Sequence, residues 1–359
     1  MKKTCSFALA ALLSAASMPA AAQQAVELKQ QDLSRWNIGT ADYSGIAPMG
    51  GSRYAVVSDK GPTDGFFVMR IEQDSLTGEV CDVRLEGFHG NPSPRRNEQG
   101  QSVRDCEGVA YVPSSGTVFI SGEGDQQILE YAADGRPTGR CLAVPPAFAL
   151  PNIVPNYGFE ALTYCPATRR FWTTTESTLP ADGPAAGPGQ PGAQNLLRLQ
   201  AFDEELRPVA QYAYRMDRGK RDDFGLVYTL GVSGMTALPD GRLVVMEREA
   251  DVSNGYLSST ATVKLFLVNP AESWQIDSGT HLAGLDGNKF LVKQLIAVFA
   301  TKFTPFNRSF ANYEGICLGR QLADGRQTLL LIADSQSGYG RGVFHLKDYV
   351  KVLILPDEL

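Results

Sequence analysis

Three glutamates, Glu107, Glu160 and Glu314, each stand near the start of a short apolar strand pattern. Five more carboxylates, Asp59, Glu123, Glu176, Glu247 and Asp334, each close the apolar run that follows such a start. Brought together, these groups offer only oxygen ligands. A hard divalent cation accepts six to eight of them in loose geometry, so Ca²⁺ is the expected ion. The chain has 3 histidines, His89, His281 and His345, and no His/Cys cluster, which disfavours zinc or copper. Carboxylates crowded into one funnel repel one another unless a cation sits among them, basic groups interleave, or some hold protons. Lys60, directly after Asp59, and Arg248, between Glu247 and Glu249, are the candidate basic groups, with Arg341 behind them. Such a set can neutralise phosphate oxygens, acidify a water and accept its proton, which is the chemistry of metal-assisted ester hydrolysis. We therefore assign Glu107, Glu160, Glu314, Lys60 and Arg248 as candidate catalytic groups and the five strand-end carboxylates as candidate metal ligands. A structural role is the competing reading, because a carboxylate after a strand often accepts turn N–H groups. Arg104, Arg218, Lys220 and Arg221 read more simply as solvated or locally paired charges.

The elements that would position these residues come from a repeat. Ser44-Gly45-Ile46, Glu107-Gly108-Val109, Glu160-Ala161-Leu162, Ser233-Gly234-Met235 and Glu314-Gly315-Ile316 each open a strand. Each is followed by an apolar run: Tyr54–Ser58, Val118–Gly122, Phe171–Thr175, Leu243–Met246 and Leu329–Ala333. Third strands are expected at 65–70, 127–131, 196–199, 263–268 and 342–346. Units of this kind, bounded by Gly, Pro, Asp and Asn, read as strands, and stacked radially they close into a β-propeller without long exposed edges. The expected fold is all-β, with five motif-bearing repeats and five or six blades. A sixth blade would lie between Trp274 and Phe303 or be shared by the termini. Asn288 to Phe299 is the best candidate for a short helix, and Pro180 to Gln194, rich in Gly, Pro and Ala, reads as an exposed loop. First and fourth units carry Ser44 and Ser233 where the others carry Glu, so the strand-start ring is asymmetric, and that side is where a site is expected.

Lys2 and Lys3, the apolar run Phe7–Met18 and Ala20-Ala21-Ala22 read as a secretory leader over residues 1–22, leaving 23–359 as one expected propeller domain. The run is too short for a membrane span. Losing Lys2 and Lys3 takes the net charge from −6 to −8, which argues against nucleic acid or an anionic membrane as partner. Five cysteines remain, Cys81, Cys106, Cys141, Cys165 and Cys317, an odd number. Cys106, Cys165 and Cys317 lie in strand starts and read as small core residues; any disulfide pairing stays open. There is no Gly-x-Ser-x-Gly elbow and no His-Glu-x-x-His.

The Glu-Gly-Val-Ala-Tyr, Phe-Glu-Ala-Leu-Thr-Tyr and Tyr-Glu-Gly-Ile-Cys segments resemble those of the phytase-like family, described as "esterase-like activity of phytase". So do the strand ends Ser-Asp59, Thr-Glu176, Met-Glu247-Arg248-Glu249 and Ala-Asp334-Ser335. The resemblance spans about residues 26 to 350. It implies an exported, periplasmic or secreted β-propeller and speaks to fold more than to reaction. The residues themselves point to a small phosphate or carboxylic ester cleaved with Ca²⁺, and a monomer is expected. Two other functions remain open: a non-catalytic binding or scaffolding propeller, and a calcium-dependent lactonase.

Overall fold

In the computed structural model the described residues are 24–357, without 62, 99, 101, 188, 191, 221–226, 253–254, 339 and 342–343. The leader lies outside them. The repeats form five small antiparallel sheets, one per motif. Blade 1 consists of Tyr43–Gly50, Arg53–Ser58, Gly65–Gln73 and Val80–Gly90. Blade 2 consists of Cys106–Val112, Thr117–Gly122, Gln127–Tyr131 and Pro137–Cys141. Blade 3 is Phe159–Cys165, Arg170–Thr175, Leu196–Phe202 and Pro208–Arg215. Blade 4 is Tyr228–Ala237, Leu243–Asp251, Thr260–Val268 and Gln294–Lys302. Blade 5 begins with Asn312–Gln321 and Gln327–Asp334.

Each second strand is buried along nearly its whole length because both of its faces are covered by neighbouring blades. Val56 and Val57, or Leu330 and Leu331, are fully buried. The core is correspondingly divided into one cluster per blade junction, around Val68 and Ile120, Phe119 and Phe171, Leu197 and Val245, Val244 and Leu329, and Val56 and Leu330. Five junctions close the ring. Cys106, Cys165 and Cys317 sit in these clusters as expected, and all five cysteines from Cys81 onward are free thiols.

Three expectations need correction. First, the third strand of blade 5 is Tyr349–Ile354 rather than 342–346. Gly340–Arg341 and Phe344–His345 instead pair as a small hairpin off the blade. The fourth strand comes from the other end of the chain: Val26–Glu27 and Gln31–Asp32 both pair with Tyr349–Ile354. The termini thus share blade 5, not a sixth blade. Second, the segment after blade 4's third strand crosses over to blade 3. Ile276 N–H donates to Gln211 O and Leu291 N–H to Ala213 O, and Ile276, Leu282 and Phe290 bury Ala213. This covers the outer edge of blade 3, and residues 294–302 then pair with Thr260–Val268. The unpaired edge of that strand outweighs the weak helical periodicity, so Asn288–Phe299 is a 3₁₀ turn leading into a strand. Third, the Pro180–Gln194 loop is pinned. Asp182 is fully buried and takes a bidentate pair from Arg198 at 2.6 and 2.7 Å.

The glycine of the motif has a packing cause. A Cβ at Gly45 would lie 2.3 Å from the Glu107 carbonyl oxygen, and one at Gly234 2.6 Å from that of Glu314. Adjacent inner strands approach so closely around the axis that no side chain fits between them. Gly45→Ala and Gly234→Ala are therefore expected to destabilise by about 3 kcal/mol, read as a lower midpoint in urea with unchanged slope.

Candidate metal centre and active site

Every inner strand carries a one-residue bulge at the same place. Pairing with the second strand shifts between Tyr43 and Gly45, Cys106 and Val109, Phe159 and Ala161, Val232 and Gly234, and Tyr313 and Gly315. The extra residues include Ser44, Glu107, Glu160, Ser233 and Glu314, the motif positions. A bulge re-aims the side chain of its extra residue, and here the three glutamates meet in one well at the same end of the ring.

The second ring follows from the same register. The residues before the bulges pair with Ser58, Gly122, Thr175, Glu247 and Ala333. The next residue on each second strand is Asp59, Glu123, Glu176, Arg248 and Asp334. Blade 4 thus places an arginine, not Glu247, at the ring position. Side chains alternate along a strand, so Glu247 faces the other way. Its carboxylate accepts Tyr214 OH and Lys293 Nζ, both at 2.7 Å, and the Asp217 N–H at 3.0 Å. This corrects the assignment of Glu247 as a metal ligand: its oxygens serve the junction of blades 3 and 4.

Arg248 is buried in the well. Its Nη2 donates to Glu176 Oε1 at 2.6 Å, and its Nη1 to Glu314 Oε1 at 2.5 Å and Asn312 Oδ1 at 2.8 Å. Glu123 accepts the Gly158 N–H of the next blade at 2.8 Å. Asp59 pairs with Lys60, whose side chain is half exposed at the rim. Ser233 donates to the Tyr313 carbonyl at 3.0 Å and ties blade 4 to blade 5. Among the more doubtful bases, Arg104 is a buried strut to Asp125 at 2.9 Å, and Lys220 reaches Thr262 at 3.1 Å. Arg221 and the Arg341 side chain lie outside the described residues.

Two acids escaped the sequence reading. Asp42 and Asp105 precede the inner strands of blades 1 and 2 in the left-handed region, at φ 48° and 51°, which Asp tolerates better than most residues. Among the described residues, three groups place carboxylate oxygens within 4.8 Å of one another: Asp42, Asp59 and Asp334; Asp59, Asp105 and Glu107; and Glu107, Glu123 and Glu160. Shared members make one continuous arc of acids over blades 5, 1, 2 and 3. The signal that could have found Asp42 and Asp105 is the residue two before the motif position, polar in three units (Asp42, Asp105 and Asn312) and glycine in the other two (Gly158 and Gly231).

Burial dominates the electrostatics. It raises the Glu107 and Glu160 carboxyls well above the usual range, with the neighbouring acids adding to it. Burial also pushes Glu123 and Glu314 up to about 7, against the Gly158 N–H and Arg248 respectively. Asp334 rises to about 9 by burial and the nearby Glu314. At Asp42 burial is outweighed by hydrogen bonds from Ser337 and Ser335, and the carboxyl is held low. Glu107 and Glu160 make no hydrogen bond or ion pair with the described residues. Two unpartnered carboxylates, Glu107 buried and Glu160 half-buried, within 4.8 Å of each other and of Glu123, fit a hard cation.

A family model described as "Phytase-like: Esterase-like activity of phytase" matches residues 38–336. The chain belongs to the phytase-like family. The match takes in all the acids of the well and stops before the strand that closes blade 5. No curated protein sequence matches the chain. Solved structures similar to it include virginiamycin B lyase from Staphylococcus aureus, 11% identical, covering 91% of this chain and 99% of that one at a TM-score of 0.37. An endo-arabinase from Bacteroides thetaiotaomicron is 10% identical, covering 89% and 96% at 0.45. A gluconolactonase from Xanthomonas campestris is 12% identical, covering 95% and 99% at 0.34. Among the described residues of this family member, no helix is long and apolar enough to cross a membrane.

Proposed function

We propose that the acidic well is a metal-assisted hydrolase site for phosphate or carboxylic esters of small molecules, with Ca²⁺ as its ion. One observation carries this reading: the buried Glu107 and the half-buried Glu160 have no partner among the described residues and lie within reach of Glu123. Asp59, Asp105, Glu107, Glu123 and Glu160 would hold the ion, with Asp42 and Asp334 extending the arc. When bound, the ion would supply positive charge to the ester's anionic oxygen and acidify water. A carboxylate of the arc that the ion leaves free would accept the water's proton. Lys60 at the rim gives an anionic substrate a cation to meet on entry. Arg248 is already committed to Glu176 and Glu314, so we assign it to the wall of the well and not to the substrate. We further propose that the protein is exported and acts as a monomer.

The test is a panel of p-nitrophenyl phosphate, p-nitrophenyl acetate, phytate and a lactone, each with Ca²⁺ and with EDTA. Cleavage of a phosphate or carboxylic ester that EDTA abolishes and Ca²⁺ restores is the expected result. Turnover of the lactone alone would make the protein a lactonase. No turnover together with no Ca²⁺-induced thermal shift would leave a binding or scaffolding propeller.

A further inference from the structure

We propose that Arg248 occupies a latent cation site and thereby decides how many metal ions the well holds and where. Four blades place a carboxylate at the strand-end ring position, and blade 4 alone places a guanidinium there. Its flanking blades, 3 and 5, each send a carboxylate to it. Glu176 accepts at 2.6 Å and Glu314 at 2.5 Å, while Asn312 adds a neutral oxygen at 2.8 Å. Glu160 lies near enough that the same charge partly offsets the rise that burial and neighbouring acids give its carboxyl pKa. This is an oxygen cage around a positive centre, built from a side chain.

The arginine is 95% buried, with 5% of its surface exposed, and its Nε–H has no partner. The guanidinium is therefore held by the two carboxylates and Asn312 at its far end rather than by a complete donor set. Arginine does not lose its proton in proteins, so this arc of the well stays occupied at every working pH. A diffusible ion is confined to the opposite arc, where Glu107 has no partner. Arg248 is thus a specificity-determining residue for metal number. This deepens the metal reading above, but the vacancy that its removal would open does not depend on that reading.

The experiment counts bound Ca²⁺ by isothermal titration and equilibrium dialysis on the full chain. Wild type, Arg248→Met, Arg248→Lys and Arg248→Met/Glu176→Gln are compared. Arg248→Met is expected to bind one Ca²⁺ more than wild type, to melt lower than wild type without metal and to recover with saturating Ca²⁺. Arg248→Lys keeps the wild-type count, and Glu176→Gln added to Arg248→Met removes the extra ion. A folded Arg248→Met with the wild-type count overturns the proposal. Wild type binding no Ca²⁺ while Arg248→Met binds one would sink the metal reading of the active well and leave this inference standing. Should Arg248→Met not fold without metal, Ca²⁺ is titrated into the refolding buffer. Recovery of the near-ultraviolet dichroism supports the latent site, and its absence at any concentration counts against it.

Discussion

Glu107→Gln and Glu160→Gln are expected to abolish the rise in melting temperature that Ca²⁺ gives the wild type, and each to stabilise the metal-free protein. Without an ion, each wild-type carboxyl stands without a partner among other acids, Glu107 buried and Glu160 half-buried, and ionises only at a cost. A glutamine of the same shape removes the charge and keeps one oxygen. Relief of roughly 1–3 kcal/mol per site follows from the usual cost of an unsatisfied buried polar group. With the ion present the sign reverses, because a lost ligand weakens binding. At a hundredfold excess over Kd, binding stabilises the fold by about 2.7 kcal/mol, and that is the increment the variants forfeit. Glu314→Gln should behave differently. Its partner is Arg248, so removing its charge leaves a buried cation half paired and lowers stability with or without Ca²⁺, by about 3 kcal/mol. Glu247→Gln, outside the well, should also lower stability while leaving the Ca²⁺ increment intact. Thermal scans of the four variants with Ca²⁺ and with EDTA separate these cases. If Glu107→Gln melts lower by the same amount in both conditions, its carboxylate is a structural brace and the metal reading falls.

Metal-free protein is also expected to lose stability steadily as pH rises from about 5 to 9. Unfolded glutamate and aspartate titrate near 4.3 and 3.9. In the folded state Glu123 and Glu314 titrate at about 7 and Asp334 at about 9. Between those values the folded chain binds more protons than the unfolded one, so stability falls as pH rises. The contribution is fully present below the unfolded pKa and is gone once pH passes the folded one. Glu123 alone accounts for on the order of 3 kcal/mol, a sum that coupled neighbours share rather than multiply. Below about pH 5 the slope turns over, because carboxylates held low, such as Asp217 between Lys264 and Lys293, begin to protonate. Saturating Ca²⁺ should flatten the limb between pH 5 and 9, since the ion replaces the protons that the wells of carboxylates otherwise need. Melting temperatures taken every half pH unit, with EDTA or with Ca²⁺, test this. A metal-free profile that is level or rising over that range contradicts it.

Much of this was legible in the residues because the repeat carries its own punctuation. Apolar runs such as Tyr54–Ser58 and Leu329–Ala333 could only be strands covered on both faces, and the Glu-Gly starts marked the five inner strands. Two things were hidden for physical reasons. Register is a property of pairing, and Glu247 and Arg248 are adjacent in a run of charges. Only the bulge between Val232 and Gly234 decides which of them faces the well. Closure is a long-range property as well. Tyr349–Ile354 could be recognised as a blade strand only by its partners at residues 26–32, at the far end of the chain. Asp42 and Asp105 were overlooked because a residue before a strand start reads as a turn, and their role appears only once the five inner strands are superposed on one axis.

The shared blade has a consequence for how the protein comes to work. Asp42 belongs to blade 1, while its hydrogen-bond donors Ser335 and Ser337 follow the second strand of blade 5. Those two blades become neighbours only when Val26–Glu27 has found Tyr349–Ile354. Until that seam is sewn, the arc of acids is broken between Asp334 and Asp59. Joining opposite ends of a chain is the entropically slowest contact to make. The Asp334 end of the arc is therefore expected to join last, onto Asp59, Asp105, Glu107, Glu123 and Glu160, which blades 1 to 3 already bring together.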